Sequence, residues 1–429
     1  MDNISEGTAS HLLFGGCDTV ALAREYGTPL YVMDEQRIRG ALRTFRASME
    51  EHYGAASRVA FASKACCFKE LYRIAADEGC GADVVSGGEL ATALAAGMPP
   101  ERLYFHGNYK SDDELRAALR AGVGRIVVDN AYELACLQRI AQSLNVTADI
   151  LLRVTPGIEA HTHDYVETGR DDSKFGFTLS TGEAMRGVQA ALAQSNIKLH
   201  GVHCHIGSQI FDEQPFVGAA RVMLTFMNEV RAQTGVTLAE LNLGGGFGVA
   251  YTPQDKPLPL YAYMADAAAS VKACAHALEF PLPCMTVEPG RAVVAEGGIT
   301  LYTIGHIKEI PGVRTYVYVD GGMADNPRYA LYKAAYTATV ANRAGAPADT
   351  VVTIAGRCCE SGDLIQEHTA IPACQPGDIL AVFGTGAYNF SMASNYNRLP
   401  RPAVAMVDNG HARVAVRRQS DDDLMQWDV

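Results

Sequence analysis

The chain has 429 residues, 48% of them hydrophobic, which is too long for one ordinary core and predicts two or three domains. Its formal charge of −12 argues against a nucleic-acid groove or an anionic membrane surface as the main partner. An anionic small molecule remains compatible, because a few arginines can gather in one pocket. The 11 cysteines are scattered, odd in number and without a CxxC pair, and no secretory apolar region follows Met1. No apolar run approaches the roughly 20 residues that a membrane helix needs. These features predict a reduced, cytoplasmic, soluble protein.

In chain order, the first 34 residues end in a short strand, PLYVMD. From about residue 59, short apolar runs alternate with longer helical patterns. The strand candidates are VAFASK (59–64), ADVVS (82–86), RLYFHG (102–107), RIVVDN (125–130), ADILLRV (148–154), LHGVHCHIG (199–207), ELNLGGG (240–246) and CMTVEP (284–289). About eight β/α units in succession predict an α/β fold, a (β/α)8 barrel, with an open doubly wound sheet as the alternative. After Arg291 the pattern changes to ITLYTIGHI, RTYVYVD, TVVTIAG, ILAVF, PAVAMV and ARVAVR, separated by Gly, Pro and Asp. This predicts an all-β, mostly antiparallel sandwich or barrel. The barrel is expected over 35–292, and the β domain over 1–34 together with 293–429.

Polar residues that contribute little to packing fall at strand ends: Lys64, Asp83, Ser86, His106, Asn108, His205, Ser208, and the segments Gly244 to Gly246 and Glu288 to Arg291. In a barrel all of these face the rim where such folds place their chemistry. Lys64 is followed by Ala65, Cys66 and Cys67, and an ammonium in such small apolar surroundings is poorly solvated, which favours a nucleophilic amine. Taken alone, a lysine extending to solvent is the commoner explanation. In HCHIGSQ (203–209) the two-residue period of a strand turns His203 and His205 to one face. They suit a metal, and HTH at 161–163 repeats the spacing. They equally suit an imidazole stacked on a flat cofactor, with Ser208 and nearby amides left for an anion. A metal hydrolase needs further His and Asp ligands, whereas the eighth strand ends in Glu-Pro-Gly-Arg, so no metal is expected. GGGFG (244–248) offers unobstructed backbone amides for a phosphate. Glu288 suits a protonated pyridine nitrogen, and Arg291 a phosphate or carboxylate. Amine, aromatic stack, phosphate cradle and ring-nitrogen acid together describe pyridoxal phosphate.

The runs FASKA, HCHIGSQ, GGGFG, EPGR, CESGD and GAYNFSMASNYN resemble, in this order, the fold-type III pyridoxal-phosphate decarboxylases, over nearly the whole chain. The resemblance implies an alanine-racemase-like barrel plus a β domain, working as a homodimer with shared active sites. It implies decarboxylation of meso-2,6-diaminopimelate to L-lysine and CO2, the last step of lysine biosynthesis. Ornithine, arginine or carboxynorspermidine are the alternative substrates, and a metal-dependent hydrolase or a non-catalytic homologue rank lower. Lys64 would carry the cofactor, His205 would stack on it, and Asp83 and Glu89 would lie beside that histidine. Glu288 would face the ring nitrogen, with Pro289 and Gly290 in the same EPGR run. Ser208, Gly244, Gly245, Gly246 and Arg291 would hold the phosphate region, joined by Tyr388 of the partner subunit. Arg291, Arg328, Tyr332, Glu360 and Tyr388 would contact substrate. The adjacent thiols of GRCCESGD lack metal-ligand spacing and seldom make a useful disulfide. The resemblance makes Cys359 the proton donor, entering from the other subunit, and Cys358 a packing neighbour. Three places depart from the family pattern: Tyr329 replaces a proline, Tyr336 stands where histidine is frequent, and Ala65-Cys66-Cys67 follows the lysine where Ala-Asn is usual.

Overall fold

The structure, a computed structural model, describes the backbone of residues 4–6, 10–158 and 172–429, with side chains from residue 10 onward. The HTH run at 161–163 lies outside the described residues. Two compact units form, one from Ala41–Gly248 with Lys256–Ala292, the other from Met1–Gly40, Val249–Asp255 and Val293–Val429.

In the first unit eight parallel strands close on themselves. They are β1 (Ser57–Ala62), β2 (Gly81–Val84), β3 (Leu103–Phe105), β4 (Arg125–Val128), β5 (Ala148–Thr155), β6 (Ile197–His203), β7 (Glu240–Asn242) and β8 (Cys284–Val287). Each pairs with the next, and β8 pairs back with β1. β3 and β7 are buried at every position, as strands covered on both faces must be. Ala60, Tyr104, Val127 and Leu151 form a buried apolar cluster. The surrounding helices start on Ser86, Ser111 and Asn130, whose side chains accept the N–H of Glu89, Glu114 and Glu133. The barrel therefore forms as the sequence predicts, but the hydrogen-bonded strands stop short of the polar tails. Lys64, His106, His205, Gly244 and Glu288 consequently stand just past the C-terminal strand ends, on one rim.

The second unit is a mixed sheet around the 13-residue strand Gly298–Ile310. That strand pairs antiparallel with Arg314–Val319, Ile379–Phe383 and the N-terminal strand Leu30–Asp34. Two pairings are parallel, Arg314–Val319 with Thr350–Ala355 and Leu30–Asp34 with Ala403–Asp408. The expected barrel start at residue 35 falls within this unit, where Glu35 is held by Arg39 at 2.9 Å and Arg413 at 2.8 Å. One strand, Leu364–Ile371, has no clear apolar alternation. His368 at φ 50° inserts a bulge there, so the pairing moves from Ile354–Gln366 to Val352–Thr369. Among the described residues, no helix is long and apolar enough to cross a membrane.

Candidate active site

β1 ends in a tight turn, Ser63–Ala65, that presents Lys64 half-buried. Ser63 fixes this turn onto β2. Its N–H donates to Asp83 Oδ1 at 3.0 Å, and its hydroxyl to the Asp83 carbonyl at 2.7 Å and Glu89 Oε2 at 3.1 Å. Glu89 also accepts the Val85 N–H at 2.7 Å. Burial pushes the Asp83 and Glu89 carboxyls up, most strongly for Asp83, which also faces Glu288, while the Lys64 ammonium draws both down. Behind the turn, Ala62 N–H donates to the Pro289 carbonyl at 3.0 Å, which joins the lysine turn to the EPGR run.

His205 lies past the end of β6, and its Nδ1 accepts the Gly245 N–H at 3.3 Å. Burial, then the Lys64 charge, holds this imidazole well below its ordinary range, so the ring is neutral. The glycine run is enforced by packing. A Cβ on Gly245 would lie 2.1 Å from the Glu288 carbonyl oxygen, and Gly246, at φ +122°, would place one 2.6 Å from the Gly207 carbonyl. Arg291 donates to Ser208 Oγ at 2.9 Å, which puts a buried guanidinium and a hydroxyl on the same loop cluster as these amides.

Glu288 is buried and accepts from three side chains: His106 Nε2 at 2.8 Å and Asn242 Nδ2 at 2.7 Å on Oε1, and His203 Nε2 at 3.1 Å on Oε2. Burial works to raise this carboxyl, but the two imidazoles overcome it and hold the acid well below the usual carboxylate range. Among the described residues, His106, His203 and Glu288 are also the one set whose ligand-type atoms gather within 4.8 Å. Those atoms are engaged with one another, and His205 does not join them, so the HxH spacing does not build a chelating pair here. The alternation that aligned His203 with His205 ends because β6 ends at His203. His106 and Asn242 as partners of Glu288 were not anticipated. The only sequence signal was a polar residue at the end of an apolar strand.

The second unit holds the remaining candidates. Arg328 is buried at the start of the short helix Arg328–Tyr332, and its Nη1 donates to Tyr336 Oη at 2.8 Å. The guanidinium lies 4.8 Å from the Tyr251 ring centroid. Burial works to lower it, yet Tyr251, Tyr336 and Tyr388 together raise it above its ordinary value. Among the described residues no carboxylate pairs with it. Tyr336 is therefore the acceptor that seats the arginine, and the buried Asn389 donates to the same hydroxyl at 3.3 Å. Tyr329 points elsewhere, its hydroxyl bonded to Glu367, which also pairs with Arg314. Tyr332 and Tyr388 are half-buried, the latter at φ 60°.

In the thiol loop, Cys358 is buried and Cys359 and Glu360 are exposed. Asp363 Oδ2 accepts the Cys358 N–H at 2.6 Å, and Asn397 Oδ1 accepts the Cys359 N–H at 2.7 Å, so two side chains fix the loop. Burial, then Asp363, pushes the Cys358 thiol up to about 11. Iodoacetamide at pH 8 is expected to modify Cys359 at least ~10-fold faster than Cys358, read by peptide mass spectrometry; equal rates would refute the inward and outward assignment.

The donor set of the barrel rim fits a flat, phosphorylated pyridine aldehyde. It provides an amine on a fixed turn, a neutral imidazole beside it, a buried anionic carboxylate, and glycine amides next to a serine and an arginine.

Comparison with known proteins points the same way. Residues 36–295 match the family model for the pyridoxal binding domain of pyridoxal-dependent decarboxylases. The chain is 50% identical to the diaminopimelate decarboxylase of Bacillus subtilis, over 98% of this chain and 95% of that protein. It is similar to the crystal structure of the M. jannaschii diaminopimelate decarboxylase in complex with L-lysine, with a TM-score of 0.92, 33% identity, and coverage of 100% of this chain and 98% of that one. A lysine/ornithine decarboxylase from Vibrio vulnificus aligns with a TM-score of 0.77 over 91% of this chain and 97% of its own, but at 22% identity it speaks to the fold alone.

Proposed function

The chain belongs to the diaminopimelate decarboxylases, among the pyridoxal-dependent decarboxylases, and from that premise we propose that it converts meso-2,6-diaminopimelate to L-lysine and CO2. Its cofactor is pyridoxal 5'-phosphate. When bound, that group supplies a protonated ring that takes up the electron pair left as CO2 departs. Lys64 carries it covalently through its amine. Glu288 faces the ring nitrogen, and His205, being neutral, lies against the ring without adding charge. Gly244, Gly245, Gly246, Ser208 and Arg291 hold the phosphate, with Asp83, Pro289 and Gly290 shaping the frame around the lysine turn.

Substrate choice is carried by Arg328. It is a buried cation whose neighbours are phenols, and it awaits a carboxylate, which the distal end of diaminopimelate has and ornithine lacks. Tyr332 and Glu360 serve the same end, Glu360 receiving the distal ammonium, with Arg291 and Tyr388 completing the substrate contacts. Cys359 gives its proton to the carbon that has lost CO2, a task that suits a thiol because it keeps a transferable proton near neutrality.

We further propose a homodimer in which Cys359, Glu360 and Tyr388 of one copy serve the Lys64 of the other. Eleven free cysteines support a reducing, cytoplasmic setting. The purified protein is expected to show visible cofactor absorbance and to release CO2 and lysine from meso-diaminopimelate; release from ornithine alone would overturn the substrate. Mixing inactive Lys64→Ala with inactive Cys359→Ala is expected to regenerate on the order of a quarter of wild-type activity, since half the dimers then hold one intact site. No recovery after verified subunit exchange would place the whole site in one copy.

A further inference from the structure

Glu288 has four acceptor positions, and among the described residues three are occupied: two on Oε1, by His106 and Asn242, and one on Oε2, by His203. One position on Oε2 remains for an incoming N–H. We propose that His106 and His203 are positioning residues that act through Glu288. As neutral imidazoles each donates one Nε2–H, fixing the carboxylate's orientation and keeping it anionic for the ring nitrogen of the cofactor. The proposal deepens the reading of Glu288 as partner of that nitrogen and rests on it.

The choice of neutral donors has a physical reason. A lysine or arginine at either position would form an ion pair with Glu288 and offset the negative charge that keeps a pyridine nitrogen protonated. A neutral N–H orients the carboxylate and strengthens its ionisation while leaving the full charge in place. The structure supports neutrality from several sides. The two rings meet edge to face with centroids 4.7 Å apart, so two cations there would repel strongly. Among the described residues the buried His203 Nδ1 has no hydrogen-bond partner, as the bare nitrogen of an Nε2–H tautomer can be. The charged and titratable groups facing the cluster include Asp83 on β2, Lys110 after β3, Asp129 after β4, Arg153 on β5, and Cys204 and His205 after β6. Burial lowers both imidazoles, His203 to about 4, and Arg153 adds to that effect, although Glu288 pulls the other way.

Two measurements test this. In apoprotein carrying nitrogen-15 histidine, both imidazoles are expected to read as neutral Nε2–H tautomers across about pH 6 to 8, and a cationic ring at either position would overturn the proposal. In holoenzyme loaded with cofactor labelled at the ring nitrogen, the wild-type nitrogen is expected to remain protonated. In His106→Leu with His203→Leu its titration is expected to fall by about one unit or more, whereas His106→Gln, which keeps a donor, stays close to wild type. If Glu288→Gln changes the nitrogen signal but neither the Leu nor the Gln variants do, the positioning role fails while Glu288 keeps its own. If Glu288→Gln leaves the signal unchanged, both fall together.

Discussion

Lys64→Ala is expected to yield a folded protein without the visible absorbance of lysine-bound cofactor, with CO2 release down on the order of 10^3-fold or more. The fold is expected to survive because the turn is held by Ser63, Asp83 and Glu89 and not by the amine. Lys64→Arg is the sharper control. It preserves the positive charge felt by Asp83 and Glu89, yet a guanidinium stays protonated and cannot attack an aldehyde. Borohydride reduction of the wild type followed by peptide mapping should place the pyridoxyl adduct on the peptide containing Lys64. If the absorbance survives in Lys64→Ala, another amine carries the cofactor. The other buried lysine near the rim is a poor substitute, since Lys110 Nζ donates to Gly107 O, Val127 O and Glu133 Oε1, each at 2.8 Å. Freeing it would strip the buried Glu133 carboxylate of its ion-pair partner and take a donor from two carbonyls, at a cost of several kcal/mol.

The sequence disclosed what depends on local pattern. Eight apolar runs with helical spacers between them pointed to a parallel barrel over an open sheet, and closure of that barrel puts the polar residues at the ends of six of the runs on one rim. The position of Lys64 follows from that alone. What stayed hidden depends on closure across the barrel. His106 and Asn242 reach Glu288 over separations of 182 and 46 residues, and no spacing rule connects them. The same holds for Asn397 and Cys359, 38 residues apart, and for Tyr336, whose place in the substrate loop signals nothing until its hydroxyl is seen to seat Arg328. The two-residue period was also applied one step too far at HCHIGSQ. His203 ends a strand and faces the barrel interior, whereas His205 belongs to the loop and meets the glycine run. Leu364–Ile371 escaped notice because a bulge at His368 disrupts the alternation that would have revealed it.

Arg328→Leu is expected to reduce kcat/KM for meso-diaminopimelate by about 10^2- to 10^4-fold. That range corresponds to the roughly 3–5 kcal/mol lost when one partner of a buried ion pair is removed. The loss follows from what the site contains. With the guanidinium gone, the phenols that flank it, Tyr251 and Tyr336, would offer the distal carboxylate at most neutral hydroxyl donors. Because the carboxylate is remote from the bond that breaks, the ion pair is present in the ground state and the transition state alike. Most of the effect should therefore appear in KM, with kcat changed much less. Arg328→Lys should recover part of the loss, since it restores the charge but not the planar fork held by Tyr336. Tyr336→Phe should cost about tenfold, the worth of one hydrogen bond to a charged group. A diamino acid without the distal carboxylate, such as ornithine, gives the discriminating comparison: its poor turnover should be nearly unaffected by Arg328→Leu, so the preference between the two substrates collapses. Unchanged diaminopimelate turnover in Arg328→Leu would show that the distal carboxylate is read by some other group, and the substrate argument would have to move away from this arginine.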